Sequence, residues 1–102
     1  MSAAIISPRA RREVLDAVEW IARDNPASAQ ALLDAVEKAA ERIGARPAIG
    51  RTRPALAQGE YRFLTIAGFP YIIVYSTSRS RPVIVRMVHS ARDLPRLLRD
   101  LR

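Results

Sequence analysis

Apolar positions in the first half of the chain recur at helical spacing. Val14, Val18, Ile21 and Ala22 share one stripe, with Leu15 beside them. A repeat of three to four residues marks the buried side of an amphipathic helix. Ser7 and Pro8 stand ahead of the stripe as N-cap and first helical residue. A serine hydroxyl can accept from an orphan amide there, and proline has no amide to leave unsatisfied. The pattern predicts a first helix that ends near Asp24. Asn25 and Pro26 repeat the start signal, and Ala29, Leu32, Leu33, Val36, Ala40 and Ile43 stripe a second helix. Gly44 is expected to stop it. With so little chain between them, the two helices are expected to form an antiparallel hairpin.

The second half changes period. Tyr61 to Ile66, Tyr71 to Tyr75 and Val83 to His89 read as strands. The turn Ala67 to Pro70 and the polar loop Ser76 to Pro82 are short enough to favour an antiparallel meander. The run Tyr71 to Tyr75 is apolar on both faces, so it is expected to be a central strand covered on both sides. The helix hairpin supplies one cover; the C-terminal segment, a partner, or both supply the other. Ala3 to Ile6 is a short apolar run expected to form a first strand. Asp93 can cap a last short helix with Pro95 in its first turn. Leu94, Leu97, Leu98 and Leu101 lie along one edge of it, and Arg96, Arg99 and Arg102 along another face. The expected order is β-α-α-β-β-β-α, an α+β fold in which a helix hairpin packs on a small antiparallel sheet. The connection between Gly44 and Glu60 holds Pro47, Gly50, Pro54 and Gly59, and its length implies a role beyond joining two elements.

A chain of 102 residues makes a single domain, here residues 1–102. It carries 17 basic and 10 acidic residues, a net charge of +7. This balance points to an acidic partner: nucleic acid, an anionic surface, or an acidic protein segment. Lys38 is the sole lysine, and so strong a skew to arginine fits an arginine-favouring genome as well as an arginine-specific task. The absence of cysteine excludes disulfides and thiolate metal sites and is compatible with a reducing cytoplasm. No metal or cofactor is expected. The N-terminus lacks the charged and apolar regions of a secretory signal, and no apolar run nears the ~18 residues that mark a membrane span.

Candidate chemistry centres on the sheet. Metal-free RNA cleavage needs a base for the 2′-hydroxyl, an acid for the leaving oxygen, and cations for the phosphorane. Arg62, Arg86 and Arg92 can supply cations, and His89 is the only imidazole. Arginine stays protonated and cannot act as the base. His89 reads better as a strand-end group that bonds the backbone and orients the following turn, and Asp93 as a helix cap. Tyr61, Tyr71, Tyr75 and Trp20 read as core packing with wet polar tips rather than as base-stacking groups. Arg62 and Arg86 each interrupt an apolar strand, Arg62 near Leu64 and Ile66, Arg86 between Ile84 and Val88. A half-buried guanidinium needs a carboxylate. The internal candidates are Glu60, Asp93 and Asp100; acidic residues of a partner are the alternative. Arg9, Arg11 and Arg12 crowd the first turns of the first helix, where cations oppose its dipole. Glu13 and Asp16 offset part of this, and the cluster reads as either a contact face or solvated charge.

A set of short motifs runs in order along almost the whole chain: Ser7, Pro8 and Ala10; Glu19, Trp20 and Ile21 followed by Asn25, Pro26 and Ala29; Pro47 to Arg51; Tyr61 and Arg62; Tyr71 to Tyr75; and Val88 to Asp93. In this order and at this length they resemble the RelE/ParE superfamily of toxins from toxin–antitoxin pairs, and more closely the ParE branch. It implies a ParD-like antitoxin whose C-terminal arm folds over the toxin while its N-terminal part binds operator DNA, so that DNA is contacted only indirectly. It implies DNA gyrase as the target if the chain acts as ParE relatives do, and ribosome-dependent mRNA cleavage if it acts as RelE relatives do. RelE-like toxins tend to carry a tyrosine soon after the histidine–arginine pattern, and lysines in the long connection. Here no tyrosine follows His89, and the connection offers only Arg46, Arg51 and Arg53. The expectation is a non-enzymatic toxin. Arg9, Arg12, Arg62, Leu64, Arg86 and Val88 are expected to meet the antitoxin, and Arg92, Arg96, Leu97 and Arg99 the target. The runner-up is a RelE-like endoribonuclease using His89 with Arg62, Arg86 and Arg92.

Overall fold

Each helix begins where its capping residues put it. In the computed structural model, which describes residues 2–102, Ser7 Oγ accepts from the Ala10 amide at 3.1 Å and opens α1, Pro8–Ala22. Asn25 Oδ1 accepts from the Ser28 amide at 3.0 Å and opens α2, Pro26–Ala45. The two helices pack on each other as a hairpin, and α1 also lies against the sheet. Gly44 does not stop α2, which continues through Ala45. Its role is close approach: a Cβ there would press on the backbone of Ser2 and stand 2.9 Å from Ala3 Cα.

The sheet holds β1 (Ile5–Ile6), β2 (Tyr61–Thr65), β3 (Tyr71–Ser76) and β4 (Val83–His89) in the order β1-β4-β3-β2. Strands β2, β3 and β4 form the antiparallel meander, and β1 adds to β4 in parallel. One face packs under the hairpin, with Ile73, Tyr75, Ile84 and Met87 meeting Val14, Leu32, Val36 and Ile43. On the other face Phe63, Ile72, Val74 and Val88 meet Leu56, Ala57, Leu94, Leu98 and Leu101. The second cover is therefore supplied by the chain itself. Asp93 caps α3 (Leu94–Leu97) through the Arg96 amide at 3.3 Å, and a 3₁₀ turn, Arg99–Leu101, completes the roof. The long connection contributes to both layers: a 3₁₀ turn at Pro47–Ile49 packs near α2, Arg51 bridges to Phe63, and Leu56 and Ala57 are buried. Among the described residues no helix is long and apolar enough to cross a membrane.

A register shift in β4 decides where its side chains point. Val74 pairs with Arg86 but Tyr75 pairs with Ile84, so Val85 is the extra residue of a β-bulge. Side chains alternate faces along a strand, and one inserted residue inverts that alternation. Ile84 thus lies under the hairpin, while Arg86 and Val88 fall with Val74 and Ile72 on the other face. Arg62 pairs with Tyr75 and belongs to the hairpin face. The two arginines that interrupt the strands do not share a surface.

Candidate functional site

The arginine on β4 is fully engaged inside the chain. Arg86 is only 4% exposed. Its Nε donates to both Glu13 oxygens at 3.0 and 3.1 Å, its Nη2 donates to Glu13 Oε2 at 2.9 Å, and its Nη1 donates to the Leu97 carbonyl at 2.7 Å. The counter-ion is therefore Glu13 on α1. Asp93 caps α3, Asp100 pairs with Arg9 at 3.0 Å, and Glu60 accepts from Ser76 Oγ. The bulge sets Arg86 on the face away from the hairpin, and its guanidinium reaches Glu13 past the part of β4 that β1 leaves uncovered, where the Met87 amide also bonds Glu13; a linear reading of β4 shows neither, which is why Glu13 was not among the internal candidates.

Arg62 finds backbone instead of a carboxylate. Its Nη1 donates to the Gly50 carbonyl at 2.8 Å and reaches the Ala48 carbonyl at 3.5 Å. The same short segment is held from the core by Tyr75, whose hydroxyl donates to the Pro47 carbonyl at 2.7 Å and accepts the Gly50 amide at 2.8 Å. Burial pushes the Tyr75 phenol above its ordinary range, against the opposing pull of the Gly50 amide and the Arg62 charge. Burial likewise raises Tyr61, helped by the carboxylates of Glu60 and Asp100.

An open groove of about 800 Å³ lies between α1, the end of β4 and the segment after it. Glu13, Asp16, Ala17 and Trp20 form its α1 wall. These positions fall at i, i+3, i+4 and i+7, one face of a helix. Met87 and Val88 give it an apolar floor, and Arg92 and Leu97 line the opposite side. Trp20 is 66% exposed, so the expectation that it packs in the core is overturned. The Arg23 guanidinium sits 5.1 Å from the indole centroid. Two factors leave Trp20 outside: Val14, Ala17 and Val18 already fill the hairpin-facing stripe, and the indole points past it into the groove.

His89 borders this groove as a half-buried strand-end residue. Its Nδ1 accepts the Ala91 amide at 3.1 Å, and its ring meets Tyr71 edge-on at 5.4 Å. The structure brings His89, Arg86 and Arg92 to one groove and leaves Arg62 out of it. His89 pairs with Tyr71 while Arg62 pairs with Tyr75, four residues along β3 and on the far strand. That is a separation of about 13 Å along the strand alone. A smaller hollow of about 430 Å³ adjoins, lined by Arg9, Arg96, Arg99 and Asp100, and it shares Arg86 and Leu97 with the first. Arg9, Arg12, Arg92, Arg96 and Arg99 are exposed, Leu64 and Leu97 are half-buried, and Val88 is buried. Val88 and Arg86 are thus covered by the chain's own C-terminal segment and are not open to a partner in this conformation.

Residues 4–94 match the family described as the ParE toxin of the type II toxin–antitoxin system, parDE. The chain belongs to the ParE toxin family. The fold agrees: a solved structure of the chromosomal ParDE TA system from P. aeruginosa superposes with a TM-score of 0.71 at 19% identity. The match covers 87% of this chain and 96% of that one. No curated protein matches the sequence. Tyr75 and Arg62 together tie the Pro47–Gly50 segment to the sheet, while the groove and the neighbouring arginine-lined hollow are open to solvent.

Proposed function

We propose that this ParE chain is the toxin of a type II pair, neutralised by a ParD-like antitoxin, and that it acts by binding DNA gyrase rather than by turning over a substrate. The observation that carries the reading is the family match across residues 4–94. The layout of polar groups supports it. Arg86, one of two arginines lining the groove with His89, spends its donors on Glu13 and the Leu97 carbonyl. A guanidinium so matched is poorly placed to stabilise a phosphorane. Arg62 is committed to the Gly50 carbonyl on the far side of the sheet.

Exposed cations supply the binding surface. Arg92, Arg96 and Arg99, with Leu97 between them, form the contact for the target. Arg9 and Arg12 on α1, with Arg62 and Leu64 at the edge strand, form contacts for the acidic antitoxin. Arg86 and Val88 would join them if the antitoxin arm lifts the C-terminal roof. Charge of this sign speeds encounter with an acidic partner, while apolar burial holds the complex. DNA enters only through the antitoxin, and action takes place in the cytoplasm.

The test is inducible expression with and without the small protein encoded next to it, combined with a supercoiling assay. Growth arrest with a DNA-damage response, relieved by the neighbour, and loss of gyrase supercoiling by purified chain are the expected results. Intact supercoiling at micromolar chain would count against the target. Cleaved mRNA that depends on His89 would replace the reading with the ribonuclease one.

A further inference from the structure

The smaller hollow holds more positive charge than the chain can match. Arg9 from α1, Arg86 from β4, and Arg96 and Arg99 from the C-terminal segment line it with Leu97 and Asp100. Four guanidinium groups thus meet two carboxylates: Asp100 on the wall, bonded to Arg9 at 3.0 Å, and Glu13 against Arg86 at 2.9 Å. Two positive charges are left over. They belong to Arg96 and Arg99, which are exposed and form no ion pair among the described residues. No carboxylate nearby in sequence is free to take them. Seven of the ten acidic residues lie before Arg46, and the three after it are engaged: Asp100 with Arg9, Asp93 as the cap of α3, and Glu60 with Ser76. Like charges three residues apart on a helical turn repel, and an anion between them relieves this. A guanidinium also presents paired donors in a plane that matches two oxygens of a phosphate.

We propose that this hollow binds the doubly charged phosphoryl group of a small molecule, a phosphomonoester or a diphosphate, between Arg96 and Arg99 with Arg9 as the third donor. The excess of two charges sets the charge of the ligand, and the concave shape sets its size. A space of about 430 Å³ admits a small anion, whereas a nucleic-acid backbone is tracked by a row of cations along an open groove. Arg9 belongs to α1, and Arg96 and Arg99 belong to the roof, so a phosphate held by all three joins the two and stabilises the folded chain. It also occupies the two arginines proposed above to meet the target. The site itself is independent of the toxin reading; only this masking of the target contact rests on it.

Pyrophosphate and inorganic phosphate are the probes, added to the full chain against sodium chloride at matched ionic strength so that screening is equal. Calorimetric titration gives the Kd, and thermal melting gives the linked stabilisation. Pyrophosphate at about ten times its Kd is expected to raise the Tm by about 4 °C or more over the chloride control. Arg96→Gln with Arg99→Gln is expected to weaken binding about tenfold or more. Arg46→Gln with Arg79→Gln removes the same charge from exposed positions outside the hollow and is expected to change the Kd less than about twofold. Asp100→Asn frees Arg9 and is expected to tighten pyrophosphate about threefold, a gain that a merely structural hollow does not give. No Tm rise over chloride with either probe, or equal weakening by the two double variants, overturns the site. An unchanged or weaker Kd for Asp100→Asn overturns Arg9 as the third donor. Duplex DNA that binds tighter per phosphate than pyrophosphate overturns the small ligand in favour of a backbone contact. None of these measurements uses the antitoxin or the target, so their failure leaves the toxin reading standing.

Discussion

Glu13 and Arg86 bind α1 to the centre of the sheet. The carboxylate takes three guanidinium contacts between 2.9 and 3.1 Å and also accepts the Met87 amide at 3.1 Å. The pair is asymmetric, with Arg86 almost fully enclosed and Glu13 at the groove wall, 5% and 23% exposed at the side chain. Removing the acid leaves a buried cation with only the Leu97 carbonyl. Glu13→Ala is expected to destabilise the fold by about 3 kcal/mol, since breaking a buried pair from one side is strongly unfavourable. Replacing both, Glu13→Leu with Arg86→Met, is expected to cost less than the single change. Urea unfolding of the three variants measures this, and an additive result would rule out the coupling.

Gly50 leaves no room for a side chain. A Cβ there would stand 2.7 Å from the Tyr75 hydroxyl, 2.8 Å from its ring and 2.9 Å from the Phe63 carbonyl. Neither the tyrosine, pinned by two hydrogen bonds, nor the strand can give way cheaply. Gly50→Ala is expected to cost about 1–3 kcal/mol by overpacking. Gly59→Ala is the control, because nothing lies within 4 Å of a Cβ at that position. Thermal melting separates the two: a lowered Tm for Gly50→Ala and a change close to zero for Gly59→Ala are expected.

Tyr75 makes the fold sensitive to alkali. Its phenol is raised above the ordinary value of 10.0 by burial, so the folded state favours the neutral form. Unfolding lets the group ionise at its ordinary value, and the stability it contributes is complete below that pH and declines as pH rises through the raised folded value. Tyr75→Phe removes the hydrogen bonds to Pro47 and Gly50 and is expected to cost about 1–3 kcal/mol at neutral pH. It also removes the titration. The gap between wild type and variant is expected to narrow above pH 10. Tyr61, raised in the same direction, leaves a residual slope in both proteins. Unfolding free energies measured at neutral and at alkaline pH test this, and a constant gap would refute the assignment.

Local chemistry was the legible part of the sequence. Serine, asparagine and aspartate before proline or near it fixed the starts of α1, α2 and α3, because caps act within one turn of chain. Strand β4 was read at its observed limits, and β2 and β3 within a residue, since apolar runs between turn signals are also local. The family resemblance rested on motifs that the structure explains physically. Pro47 to Arg51 binds Tyr75 and Arg62 and pairs with Phe63. What the sequence hid were relations across the sheet. The bulge at Val85 sets Arg86 on the roof face, from which it reaches Glu13 past the edge of β4, and the N-terminal backbone crossing α2 turns Gly44 from a helix stop into a contact point. The groove itself was half legible. Glu13, Asp16, Ala17 and Trp20 share a helix face, and the charges at its start were a signal that this face is not core.

If the C-terminal arginines meet the target as proposed, they separate folding from action. Arg96 and Arg99 are exposed and line the smaller hollow, while the neighbouring leucines hold the roof. Arg96→Glu with Arg99→Glu is expected to leave the melting temperature nearly unchanged and to weaken target binding about tenfold or more. Relief of growth arrest at equal protein level checks this in cells. Full toxicity of a folded double variant would move the target contact elsewhere.

His89 offers the sharpest division between binding and catalysis. Its Nδ1 accepts the Ala91 amide and its ring rests on Tyr71, so its visible work is to shape the turn from β4 into α3. A base in RNA cleavage would instead need that imidazole free to take a proton beside cations that are themselves uncommitted. Of the two arginines that line the groove with His89, Arg86 is already matched by Glu13, which leaves Arg92 alone. His89→Ala is expected to lose about 1 kcal/mol with the turn's hydrogen bond, to keep growth arrest within twofold of wild type, and to leave mRNA intact. His89→Asn, which can still accept the amide, is expected to recover most of the lost stability. If His89→Ala abolishes arrest and His89→Asn fails to restore it while both remain folded, the imidazole is acting as a proton carrier and the chain is an enzyme.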